Sequence, residues 1–173
     1  TDSGYALGAQ IGNADALDRI RAIRKLDDKH HFTLVCRDFS QLGQFVHVDN
    51  TVFRAVKAAT PGPYTFILPG TREVPRRLLQ DKKRTVGVRI PDHRIVQALL
   101  ATLGEPILST TLILPADDDE PDRTMTQAWE IAEAGDDEGA MMSYLFCNLS
   151  DPTASSACVL TNWPALHRLA PDE

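Results

Sequence analysis

The sequence predicts a mixed α/β fold, α/β in alternation with α+β character: a twisted open sheet with helices packed on it. Three observations carry that expectation. Short β-favouring runs alternate with amphipathic helical stretches along the chain. No internal repeat suggests a solenoid. The 173 residues, with 43% hydrophobic and 24% charged, match a single folded domain that can bury a core without disulfide or metal staples. The expected organisation is therefore one domain over 1–173.

Taken in order, TDSGYALG reads as the exit from a strand whose body precedes residue 1, so the domain is expected to lack its N-terminal strand. From Asn13, NADALDRIRAIRKL has a capping residue, an acidic first turn and Leu17, Ile20 and Ile23 at helical spacing. FTLVC (32–36) is a strand. DNTVFRAVKAAT is a helix capped by Asp49 or Asn50 and stopped by Thr60-Pro61-Gly62-Pro63. YTFIL (64–68) is the next strand, VPRRLLQ a short basic helix and TVGVRIP a further strand. HRIVQALLATLG is a helix stopped by Gly104 and leads into the strand PILSTTLIL. PADDDEPDR (115–123) is an exposed acidic loop. TMTQAWEIAEA reads as a helix, SYLFCNL as a strand and SACVL as a last short strand.

Composition excludes several classes of function. No apolar run reaches the roughly 18 residues of a membrane-spanning helix, and the first ten residues lack the basic start and apolar stretch of a signal peptide. A cytoplasmic protein without membrane partners is expected. Cys36, Cys147 and Cys158 are odd in number and have no metal spacing, so all three are expected to be reduced and unligated, with no structural metal. The net charge of -6 is divided unevenly: residues 1–94 carry 16 Lys and Arg against 10 Asp and Glu, and residues 95–173 carry 2 against 14. A basic front half suits an anionic ligand, although solvated helix faces give the same count.

No GxxxxGKS, GxGxxG, GxSxG or HExxH motif is present. What remains are hydroxyl- or glycine-rich breaks at strand ends: Thr1-Asp2-Ser3-Gly4, Thr60-Pro61-Gly62-Pro63 and Ser109-Thr110-Thr111. Such breaks suit a ligand held in a crevice, or they simply cap and turn the backbone. Adjacent His30 and His31 read as loop, and Asp117 to Glu120 as a solvated loop ill-suited to the octahedral demands of Mg²⁺.

Five blocks in order carry a resemblance to a known family. TDSGYALG resembles the T[DE]TVYGLG opening of the YrdC family, the threonylcarbamoyl-AMP synthases of tRNA modification. Ile23 to Asp27 stands where that family has IKGRP, Thr60 to Thr65 matches TPGPxT, Val88-Arg89-Ile90-Pro91 matches VRxP, and Ser109-Thr110-Thr111 stands where it has TSAN. The departures point to the YciO branch, with which the chain shares wording such as FTLVCRD and LSTTLILP. Arg24-Lys25-Leu26 replaces Lys-x-Arg, and Thr111-Leu112-Ile113 replaces Ser-Ala-Asn.

The resemblance implies a YrdC-like fold with a central crevice bordered by Thr1, Arg89 and Thr111. It implies a reaction joining L-threonine, bicarbonate and ATP into threonylcarbamoyl-AMP and pyrophosphate, with Mg²⁺ accompanying ATP and activity reduced by the two departures. Thr1, Ser3, Arg89 and Ser155 would hold the amino acid, with Arg89 clamping its carboxylate. Arg24 and Lys25 would face the ATP phosphates and Thr111 would lie near the nucleotide; no catalytic residue is implied. Read as residues alone, Arg89 equally suits a structural ion pair, and Arg24 and Lys25 a helix C-terminus. The alternative is a non-catalytic module binding double-stranded RNA or tRNA through Arg72, Arg76, Arg77, Lys82, Lys83 and Arg84.

Overall fold

The computed structural model describes residues 5–27, 29–80, 82–114, 123–124 and 158–160. Element order is β1 (Ala6–Gln10), α1 (Ala14–Ile23), β2 (Thr33–Val35), α2 (Phe39–Phe45), α3 (Asn50–Ala58), β3 (Phe66–Pro69), a 3-10 turn (Arg76–Leu78), β4 (Thr85–Arg89), α4 (Arg94–Leu103), β5 (Ile107–Thr111), β6 (Ile113–Leu114), β7 (Arg123–Thr124) and β8 (Cys158–Leu160). The fold is mixed α/β, with an open mixed sheet. The chain divides into two compact units, one built mainly from residues 27–110 and the other from 3–9, 13–26 and 111–173.

In the first unit the sheet runs β3-β4-β2-β5. β2 pairs with β4 in parallel, Leu34 opposite Val88, and antiparallel with β5, Leu34 opposite Leu108. β3 completes the row antiparallel to β4. Leu34, Val86, Val88 and Leu108 alternate onto one side of this sheet and are buried to 2% exposure or less. Burial of those side chains sets the register, because a slip of one residue would bring Thr33 and Gly87 to the core side.

The helices are fixed by their ends. Asp38 caps α2, its carboxylate accepting from the Gln41 N–H at 2.8 Å, and Asp49 caps α3 by accepting from Thr51 and Val52. Gly104 stops α4 in the left-handed conformation at φ 72°. The connection from β3 to β4 is anchored by buried Val74, Leu78 and Leu79, and it carries Arg72, Arg76, Arg77, Lys82, Lys83 and Arg84 outward, all exposed.

In the second unit β1 pairs antiparallel with β8, and α1 buries Ala16, Leu17 and Ile20. Asn13 caps α1, accepting from the Ala16 N–H at 2.9 Å. The helix ends in a Schellman arrangement: Leu26 N–H donates to Arg21 O at 2.9 Å and Lys25 N–H to Ala22 O at 3.2 Å, with Lys25 in the left-handed region at φ 48°.

Several elements differ from the sequence reading. Ala6–Gln10 is itself a strand, where a strand exit was expected: Ala6 to Ala9 are all buried, and Ala6, Leu7 and Gly8 pair with β8. α2 was not expected at all. β3 begins at Phe66, leaving Tyr64 outside it. The run PILSTTLIL is two strands: Leu112 turns its N–H to Tyr5 O, and β6 pairs with β7. Thr124, expected to open a helix, lies in β7. The acidic loop at 115–122, the remainder of that helix and SYLFCNL fall outside the described residues, whereas the last strand is present as β8.

Candidate functional site

Arg89 closes β4, and the backbone beyond it is held from three directions. The carbonyl of Arg89 accepts from Cys36 N–H at 2.8 Å, that of Ile90 from Gly62 N–H at 2.9 Å, and that of Pro91 from Gln97 Nε2 at 2.8 Å. These donors come from the end of β2, from the Thr60-Pro61-Gly62-Pro63 turn and from α4. The VRIP segment is thereby fixed by hydrogen bonds from three separate parts of the chain.

The turn is shaped to make its contact. The Thr60–Pro61 peptide is cis, Thr60 Oγ1 donates back to Val56 O at 2.8 Å, and a Cβ on Gly62 would sit 2.7 Å from Ala59 O. Only glycine permits that approach.

Strand alternation sorts the side chains. Arg89 shares its side of the sheet with Gly87, with Thr33 and Val35 opposite them on β2, and with Ser109 and Ile107 opposite those on β5. This side is the more polar of the two. Gly87 leaves room for its neighbours: a Cβ there would lie 3.2 Å from Thr33 Oγ1 and 3.3 Å from Thr65 Cγ2.

Beside this site the Cys36 thiol is pushed up to about 12, chiefly by burial and secondarily by the Asp38 charge. It stays a neutral, inert thiol, and it forms no disulfide. Asp38 is held below its ordinary value, first by the Gln41 N–H and then by Arg37, whose Nε lies 2.9 Å from its carboxylate.

In the other unit Arg24 and the Thr111 segment come together. Arg24, half-buried at the C-cap of α1, donates its Nε to Ile113 O at 3.3 Å, two residues beyond Thr111. Lys25 is exposed at the left-handed position that follows. Thr111 is the half-buried last residue of β5. Arg89 belongs to the first unit, and Thr1, Ser3 and Ser155 lie outside the described residues, as do the side chains of Cys147 and Cys158.

Sequence reasoning passed over Thr33 and Gly87, and met Thr65 only as the last residue of the TPGPxT match. It also missed that His30 is tied down, its Nε2 2.9 Å from Thr110 Oγ1 and its ring edge-on to Phe32 at 5.3 Å. A threonine facing a glycine across two strands can be read only once the register is known. Among the described residues no group of three His, Cys, Asp or Glu side chains could hold a metal ion, and no helix is long and apolar enough to cross a membrane.

Comparison with known proteins places this arrangement. The chain is 60% identical over 115 residues to the uncharacterized protein YciO of Escherichia coli K12, covering 66% of this chain and 56% of that protein. The crystal structure of E. coli YciO matches with a TM-score of 0.68 and 51% identity, over 82% of this chain and 65% of that one. A threonylcarbamoyl-AMP synthase of Vibrio vulnificus YJ016 is 30% identical over 114 residues, 64% of this chain and 61% of the synthase. P. abyssi Sua5 complexed with L-threonine matches with a TM-score of 0.59 and 28% identity, over 64% of this chain and 33% of Sua5. The chain thus spans little more than half the length of the curated relatives it matches. The Sua5/YciO/YrdC family model, described as telomere recombination, matches residues 1–136, and the chain belongs to that family, related to the threonylcarbamoyl-AMP synthases.

Proposed function

We propose that this chain is the YrdC-like part of a YciO-type protein that binds ATP and a small amino acid such as L-threonine, with threonylcarbamoyl-AMP synthesis weaker than in a synthase. The observation that carries the reading is Arg89: a guanidinium-bearing residue, on a backbone fixed by three hydrogen bonds, on the same sheet side as Thr33 and Ser109. A planar fork of that kind suits a carboxylate. The relative complexed with L-threonine supports the choice of amino acid.

Arg24, Lys25 and Thr111 are proposed for the nucleotide side, with Thr1, Ser3 and Ser155 completing the amino-acid side. Leu26 and Ile113 are the proposed reason for weak synthesis, since each puts an apolar side chain where the synthase pattern has Arg and Asn. The described residues supply no metal cluster, so Mg²⁺ is proposed only as the counter-ion that ATP brings, and no step is assigned to it. The proposed setting is the cytoplasm, in keeping with the buried, unbridged thiol of Cys36.

Calorimetric titration with L-threonine tests the reading. Arg89→Ala is expected to weaken binding by about 10- to 100-fold, the loss of a charge-assisted pair, and Arg89→Lys by less. Wild-type affinity in Arg89→Ala would remove the assignment. Pyrophosphate release at saturating ATP, threonine and bicarbonate should be low and should rise in the Leu26→Arg, Ile113→Asn double variant.

A second reading, contact with the phosphate backbone of double-stranded RNA or tRNA, draws on the six exposed cations of the β3–β4 connection. A steep loss of RNA affinity with rising salt, abolished by neutralising those six, is its test.

A further inference from the structure

Two adjacent histidines lie in the loop between α1 and β2, and their surroundings differ. His31 is exposed. The backbone of His30 is held by Asp27, whose carbonyl accepts from His30 N–H at 3.2 Å and whose carboxylate accepts from Lys29 N–H at 3.1 Å. The half-buried ring of His30 stands edge-on to Phe32, which is only 1% exposed. Its Nε2 shares a hydrogen bond of 2.9 Å with Oγ1 of Thr110, a buried residue of β5.

That bond continues a strand pairing. β2 and β5 are laddered from Val35 opposite Ile107 to Thr33 opposite Ser109, and the next step outward would set Phe32 against Thr110. There the tie passes from backbone to side chain. Both partners belong to the first unit, His30 near the start of its run Asp27–Thr110 and Thr110 at the end. The residues proposed for the nucleotide flank that run in sequence, Arg24 and Lys25 before it and Thr111 after it. By strand alternation, fixing the Thr110 side chain on one side of β5 directs Thr111 to the other.

We infer that His30 is a positioning residue for ATP, acting through the Thr110 hydroxyl to fix the end of β5 from which Thr111 projects. This rests on the reading of Arg24, Lys25 and Thr111 as the nucleotide side. His30 itself is assigned no contact with the ligand. Its contribution is preorganisation: a strand end already held in place loses less freedom when ATP engages it. Phe32 is part of the device, because its buried ring sets the plane of the imidazole and so the direction of Nε2.

The test is calorimetric titration of the full chain with ATP in the presence of Mg²⁺ and, separately, with L-threonine. His30→Phe keeps a ring against Phe32 and removes the nitrogen. It is expected to weaken ATP by about 3- to 10-fold, one hydrogen bond's worth, and to leave threonine unchanged. His30→Gln, whose amide reaches to where Nε2 lies, should restore most of the ATP affinity, which a purely packing role would not do. Thr110→Val removes the other partner and should match His30→Phe, with no further loss when the two are combined. Circular dichroism checks that each variant folds, and Thr110→Val carries the test if His30→Phe does not. If ATP affinity is unchanged in the folded variants, falls together with threonine affinity, or stays low in His30→Gln, the inference is overturned, while a loss of ATP affinity in Lys25→Ala keeps the nucleotide reading. If the unaltered chain binds no ATP, or Arg24→Ala and Lys25→Ala bind it unchanged, the nucleotide reading falls and the inference with it.

Discussion

Lys25 occupies a backbone position that suits glycine, and the consequence is measurable. At φ 48° its β-carbon crowds the following carbonyl, and the left-handed region costs a non-glycine residue about 1–2 kcal/mol. The position is enforced by the two bonds that close α1, Lys25 N–H to Ala22 O and Leu26 N–H to Arg21 O. Lys25→Gly removes the crowding but gives the unfolded chain extra freedom worth about 0.5–1 kcal/mol. The net expectation is a stabilisation of about 0.5–1 kcal/mol, or roughly 1–4 °C in Tm for a domain of this size. Lys25→Ala is the control, since it loses the same charge and keeps the β-carbon. Thermal and urea unfolding of the three proteins, with ATP binding measured alongside, separates backbone from charge. Glycine should unfold above alanine, while both lose nucleotide affinity to the same extent. Equal midpoints for Gly and Ala, or a lower one for Gly, would refute the backbone argument. Full ATP affinity in both would refute the role assigned to the ammonium group.

Three further outcomes follow from the geometry. Gly62→Ala places a β-carbon 2.7 Å from Ala59 O and should cost about 1–3 kcal/mol by urea denaturation, releasing the turn from Ile90. Cys36 has a folded value raised to about 12 against an ordinary 9.0, so the unfolded thiol ionises first; stability should be intact below pH 9 and fall as pH rises toward 12, a slope that Cys36→Ala removes. Asp38→Asn should keep the α2 cap, whereas Asp38→Ala should cost about 1 kcal/mol in thermal unfolding. Because the Asp38 carboxyl is held low, its charged contribution is present at neutral pH and is lost as pH falls through its folded value.

What the sequence made legible was what local chemistry decides. Asn13, Asp49 and Gly104 mark helix ends by side-chain acceptors and by tolerance of positive φ, and each does so in the structure. α2 escaped notice because seven residues around Gly43 give too little periodicity. Its signal was the pair Asp38 and Gln41, a capping spacing in which Gln41 also accepts from Arg37 N–H at 2.7 Å. At residue 25 the family block IKGRP has glycine, which hinted at a left-handed backbone there. The side of the sheet shared by Arg89, Thr33 and Ser109 could not be read, because it depends on pairing between segments far apart in sequence. The cage of donors around residues 89–91 was hidden for the same reason.

The three-residue strand β2 is the hub of its sheet, and that has a kinetic consequence. Leu34 must meet Val88 on one flank and Leu108 on the other, roughly 50 and 70 residues downstream, so both closures bear a large loop entropy. As the chain leaves the ribosome, β3 and β4 can pair soon after Arg89 emerges. β2 offers two bare edges until β4 arrives and one until β5 does. Refolding should therefore show β3–β4 amides acquiring hydrogen-exchange protection first, and β2 amides only together with those of β5. Fragments that stop short of Ile107 should expose the β2 edge and aggregate, whatever the integrity of the Arg89 region.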